Sequence, residues 1–123
     1  MYEQFELIAI LREAPTTWEE VDSLFVEENI SPYASPRHAL GMFPNGYGFS
    51  IIHAHSPGAG IEPVFYPDLF EVAITEASDS SSWELCRTAP GHKEDCIMGG
   101  YLDHEEVLEA LAEIAYFKRD TSY

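Results

Sequence analysis

The sequence predicts an α+β domain, a four-stranded antiparallel sheet with helices packed on one face, in the order α-α-β-β-β-β-α. Three observations carry that prediction. Apolar residues recur at helical spacing near both ends of the chain, two pairs of strand-like segments lie between them, and each pair is joined by a short turn of the kind that connects antiparallel strands. A length of 123 residues suits a single acidic globular domain over 1–123, and a composition 46% hydrophobic and 13% aromatic supplies a core without disulfide or metal staples.

Tyr2, Phe5 and Ile8, with Leu7 and Leu11 beside them, predict a first helix over residues 2–13, ended by Pro15. Thr17-Trp18-Glu19-Glu20 reads as a capping box opening a helix over 18–28, with Trp18, Val21, Leu24 and Phe25 inward. Glu19, Asp22, Glu27 and Glu28 then face outward; Glu19 suits the helix dipole, whereas Glu27 and Glu28 in the last turn oppose it. Pro32 and Pro36 make the following segment a loop. The strongest hairpin signal comes next: residues 39–43 and 47–53 flank Pro44-Asn45-Gly46, where Asn-Gly is expected to supply the positive φ angles of a tight turn. Residues 54–67 read as an irregular loop, and a second hairpin joins 69–77 to 82–88 around Ser78-Asp79-Ser80-Ser81. Residues 89–100 read as loop again. Asp103-x-x-Glu106 repeats the capping box and starts a helix over 104–118, with Val107, Leu108, Leu111, Ile114 and Ala115 as its buried stripe and Lys118 and Arg119 at its C-terminal end.

Charge is the most unusual property of the chain. It has 22 Asp and Glu against 6 Lys and Arg, a net charge of −16. Residues 1–30 hold eight of the acids, 62–84 hold six, 94–120 hold eight, and 31–61 hold none. Such a surface repels nucleic acid and anionic membranes and draws basic surfaces from a distance. No apolar stretch approaches the ~20 residues of a membrane span, and Glu3 and Glu6 stand where a signal peptide carries Lys or Arg. A cytoplasmic protein is therefore expected, with Cys86 and Cys96 as thiols in a reducing compartment; whether they pair stays open.

Sites with known chemistry find little support. His53 and His55 lie two apart, which on a strand turns both imidazoles to one face, and Cys86, His92 and Cys96 lie along a loop-rich segment that could approach them as further metal ligands. The cysteines form no CxxC knuckle and the spacings match no zinc signature, so ordinary histidines are expected and no metal. No Gly-x-Ser-x-Gly elbow exists, Ser50 has no positioned base, and Glu94 and Asp95 would raise the thiol pKa of Cys96. Gly46-Tyr47-Gly48 and Gly58-Ala59-Gly60 lack the Lys-Ser/Thr of a phosphate loop. The expectation is a non-enzymatic protein with no catalytic residue and no cofactor.

What remains is the acidic surface. Its bland role is solubility. Its sharper role is nucleic-acid mimicry, with Glu19, Asp22, Glu27, Glu105, Glu109 and Glu113 on the outer faces of two helices and Glu71, Glu76 and Glu84 at the sheet edge approximating a phosphate stripe. Tyr33, Tyr47 and Tyr66 are candidate aromatic anchors, Tyr47 foremost. The expected partner is a protein with a basic, nucleic-acid-binding surface, which a phage-type context would make a host protein. Two alternatives belong to other classes. One is an assembly protein that forms a homodimer through the sheet face left uncovered by helices, with Phe49, Ile51, Val72 and Ile74 as candidates for either face; the other is a small metal-binding protein using His53, His55, Cys86, His92 and Cys96.

Phe43-Pro44-Asn45-Gly46-Tyr47-Gly48-Phe49-Ser50-Ile51-Ile52 resembles the hairpin of a set of small, uncharacterised proteins of tailed phages and prophages. The resemblance extends through residues 69–74 and 82–88 to the acidic helix at 101–115, covers roughly 38–115, and breaks in the loops at 53–67 and 89–99. It implies a phage context, in which small acidic proteins inhibit host enzymes, including restriction and CRISPR systems. It brings no catalytic residues with it.

Overall fold

The computed structural model describes residues 8–27, 36–56, 64–79, 82–85 and 97–116. Their order is β1 (Ile8–Ile10), α1 (Trp18–Asp22), β2 (Val26–Glu27), β3 (Arg37–Met42), β4 (Tyr47–Ser56), β5 (Val64–Asp79), β6 (Ser82–Leu85), β7 (Ile97–Leu102) and α2 (His104–Ala115). The α+β class stands. The sheet, however, is mixed and holds seven strands among the described residues rather than four. It is five positions wide, because β1 and β2 share the outer edge of β3 while β6 and β7 share the outer edge of β5.

The first predicted helix is corrected where it is described. Ile8-Ala9-Ile10 is a strand that runs parallel to Leu40–Met42, and the Leu11 amide donates to the Met42 carbonyl at 2.9 Å. A short apolar run fits either period, and β-branched Ile8 and Ile10 favour the extended one once a strand edge is available. Residues 2–7 of that prediction lie outside the described residues.

The second helix is real but short. Thr17 accepts from the Glu20 amide at 3.3 Å, as its capping role requires, but the return contact is Thr17 Oγ1 donating to the Glu20 carboxylate at 3.1 Å, so the box is half-formed. The helix stops after Asp22. The Ser23 hydroxyl donates to the Glu20 carbonyl at 2.7 Å, competing with the helical ladder, and Val26–Glu27 then pairs antiparallel with Arg37 and His38. Glu27 thereby leaves the helix end where it would have opposed the dipole.

Both hairpins form. β3 pairs with β4 from His38↔Ile52 to Met42↔Gly48, and the strands extend beyond the predicted bounds. Within this turn only Gly46 takes a positive φ (88°), so Pro44-Asn45-Gly46 is a three-residue loop closed by Phe43 N–H to the Tyr47 carbonyl at 2.8 Å. Asn45 has a different task. Its Oδ1 accepts from the Tyr47 amide at 2.9 Å, while its Nδ2 donates to the carbonyls of Ile114 and Ala115 at 2.9 and 3.2 Å, satisfying the C-terminal end of α2. In the second hairpin β5 pairs with β6, placing Glu76 opposite Glu84. The predicted loops are shorter than expected, since β4 runs on to Ser56, β5 begins at Val64 and Ile97–Leu102 is a strand on β5.

α2 carries the full capping box: the Asp103 side chain accepts from the Glu106 amide at 2.9 Å, and the Glu106 carboxylate accepts from the Asp103 amide at 3.0 Å. It ends at Ala115, and Lys118 and Arg119 lie outside the described residues. Val107, Ala110, Leu111 and Ile114 are buried, against Phe49, Ile51, Phe70, Val72 and Ile74 of the sheet and Val21 of α1. Period-2 alternation puts those sheet residues on one face, so both helices cover that face. Phe49, Ile51, Val72 and Ile74, candidates for either face, are therefore fully buried core on the helix-covered one, so a homodimer through the open face would not use them. The far face carries Leu40, Ser50, Ile52, Glu71 and Ala73.

Close backbone approach imposes one strict requirement. A Cβ at Gly48 would run into the Gly41 carbonyl oxygen and crowd the Met42 sulfur, whereas nothing lies within 4 Å of a Cβ at Gly100. Gly48→Ala should cost about 1–3 kcal/mol in urea unfolding, and Gly100→Ala should change it by less than about 0.5 kcal/mol.

Candidate functional site

The six acidic residues expected to bind a partner divide into two groups. Glu105, Glu109 and Glu113 are exposed and form one i, i+4, i+8 row along α2. Glu19 is exposed on α1, which packs beside α2: the indole of Trp18 stacks on the imidazole of His104 with centroids 4.0 Å apart and planes at 8°. These four share the helix layer. Asp22 and Glu27 stand apart, at the corner where α1 gives way to β2. Glu71 points away from the helices, so it cannot extend their stripe, and nothing is described of the Glu76 and Glu84 side chains. Tyr47 is only 4% exposed and belongs to the core, which removes it as a partner contact. Tyr33 lies outside the described residues, and Tyr66 is exposed at the rim of a cavity.

That corner brings Arg37, His53 and Asp22 into one set of polar contacts. Arg37, at the start of β3, donates from Nε to His53 Nε2 at 3.1 Å and from Nη1 to Asp22 Oδ1 at 3.0 Å. Its guanidinium also lies over the Phe25 ring, 4.5 Å from the centroid. His53 is 5% exposed, and its Nδ1 meets the Tyr66 carbonyl at 2.9 Å. Arg37 can only donate, so Nε2 must accept and Nδ1 must carry the proton. The ring is thus a neutral Nδ1–H tautomer, packed between Phe25 and Phe70. Burial, the largest cause, lowers its pKa; the Tyr66 carbonyl raises it, Arg37 lowers it, and Asp68 raises it.

The β4–β5 ladder slips between His53 and His55, from His53↔Phe70 to His55↔Phe65. Although two apart on β4, the two imidazoles sit in different surroundings. His53 is buried under Arg37, while His55 is exposed beside Phe65, with ring centroids 5.6 Å apart. No group of three or more His, Cys, Asp or Glu is disposed to hold a metal among the described residues. Cys86, His92 and Cys96 lie outside them. The slip also opens a cavity of about 460 Å³, with His53 and Arg37 on one side, Phe65, Tyr66 and Pro67 on another, and Glu27 and Pro36 at the edge.

Neither Arg37 nor this cavity was singled out by the sequence. The signal available was Arg37 as the one Lys or Arg in the acid-free segment 31–61. Among the described residues no helix is long and apolar enough to cross a membrane.

The neutral state of His53 gives a pH signature. Its folded pKa lies below the unfolded value, so the unfolded chain binds more protons as pH falls. The stability it confers is complete above the unfolded pKa and is lost as pH drops through the folded one. Urea unfolding from about pH 7.5 to 5 should show a steeper loss for wild type than for His53→Phe, which retains an aromatic ring without the titration. Equal slopes would show that His53 is not held neutral.

Comparison with protein-family models, with curated proteins and with solved structures yields no match to this chain, so the geometry of its own residues carries the functional reading.

Proposed function

We propose that this protein is a non-enzymatic binding protein whose acidic helix layer engages a basic surface on a protein partner. The observation that carries the reading is the Glu105, Glu109, Glu113 row. It is exposed, and α2 contains no Lys or Arg to neutralise it and no basic residue in its last turn. Glu–Glu pairs at i, i+4 cost a helix about 0.2–0.5 kcal/mol each, and Glu113 opposes the dipole. Carboxylates spaced about 6 Å apart along the axis are therefore kept against local stability, which suits a surface selected for what it attracts.

In its finer form the reading makes the partner a nucleic-acid-binding protein and the acidic layer a stand-in for phosphates, in the phage inhibitory setting that the hairpin resemblance implies. One row at this spacing is sparser than the charge of duplex DNA, about one per 1.7 Å. Glu19 on the neighbouring helix supports the reading by broadening the row into a face.

The combined substitution Glu105→Gln, Glu109→Gln, Glu113→Gln should change unfolding free energy by less than about 1 kcal/mol. Capture from cell lysate at low and high salt, read by mass spectrometry, should give wild type a nucleic-acid-binding protein at low salt only, and the triple variant none. A folded triple variant that captures the same protein equally well would rule the α2 row out.

A further inference from the structure

We propose that the cavity beside the β4–β5 bulge receives a cationic side chain, an arginine of the basic partner, between the Glu27 carboxylate and the faces of Tyr66 and Phe65. The proposal rests on the reading of the protein as a binder of basic surfaces and adds a place where one residue of that surface is held.

Charge is the first support. Among the described residues, Arg37 is the only Lys or Arg lining the cavity, and its guanidinium is engaged by Asp22, by His53 and by the Phe25 ring. Glu27 is exposed, and among the described residues its carboxylate has neither a hydrogen bond nor an ion pair. Asp22 already pairs with Arg37, Asp68 acts electrostatically on His53, and His53 is neutral. The local field therefore favours a cation, in line with the net charge of −16.

Shape is the second. The cavity, about 460 Å³, falls within the range of small-ligand sites, roughly 300–1,000 Å³. Tyr66 is 36% exposed and its ring meets Tyr101 edge-on, with centroids 6.0 Å apart, which holds it as a wall. The Tyr101 hydroxyl in turn donates to the His55 carbonyl at 2.8 Å. Flat guanidinium groups stack on such rings while their N–H groups reach a carboxylate, which an ammonium does less well.

The probe is N-acetyl-arginine amide, titrated into the full chain and followed by NMR, with N-acetyl-norleucine amide as the apolar control. Saturable shifts at Glu27, His53 and Tyr66 are expected with the arginine compound and not with the control. Glu27→Gln should weaken binding about three-fold and Tyr66→Leu about ten-fold, while the triple Gln variant of α2 should bind as wild type does. Absence of saturable shifts at these residues, equal binding of the control, or indifference to both cavity substitutions would overturn the proposal. Such a failure leaves the α2 reading standing if partner capture still depends on its carboxylates, and loss of that dependence with the cavity intact would separate the two the other way.

Discussion

The structure depends on one platform, the antiparallel ladder between β4 and β5. Its cross-strand pairs Phe49↔Ile74, Ile51↔Val72 and His53↔Phe70 all face the helices, and apart from His53 each of these side chains is fully buried. Burying one such side chain stabilises by about 1.5–3 kcal/mol. Repulsion among solvent-exposed carboxylates is much weaker, because water and salt screen it. A chain with a charge of −16 can therefore remain folded, provided that the apolar face of this ladder stays covered. Leu111 and Ile114 of α2 and Val21 of α1 are what cover it.

Arg37 performs a separate task at the margin of that platform. Through Asp22 it reaches the end of α1, through Phe25 the segment leading to β2, and through His53 the central strand. One guanidinium thus ties two consecutive parts of the chain, the end of α1 and the segment leading to β2, to the sheet where the segments are too short to bury much apolar surface. Lysine, with a single ammonium, could not hold these directions at once. The same corner is where the bulge opens the cavity, so rigidity and access occur side by side.

The sequence was most informative where local physics decides the outcome. The Asp103–Glu106 box, the turn at Gly46 and the apolar stripe of α2 were all legible, because each depends on residues within a few positions of one another. It was least informative where pairing at a distance overrides periodicity. Ile8–Ile10 carries a helical spacing yet lies as a strand beside Leu40–Met42, and residues 26–27 leave a helical pattern for an edge of β3. That Glu105, Glu109 and Glu113 face outward was legible from the stripe of α2, but Tyr47 was not separable from an exposed aromatic without knowing which face of β4 the helices cover. The Arg37–His53 contact follows the β3–β4 register, in which position 37 falls opposite 53, but the bulge that opens the cavity beside it lies between β4 and β5, where no spacing announces it.

The side chain of Asn45 joins a hairpin tip to the last carbonyls of a helix 69 and 70 residues further on. A contact of that sequence separation carries a large loop-closure cost in folding, so it forms late and adds to the contact order that slows the search for the native state. Once made, it removes independent fraying at two places that ordinarily open first. The turn and the helix terminus become members of one cooperative unit, and their amides exchange with solvent through a shared opening rather than two separate ones.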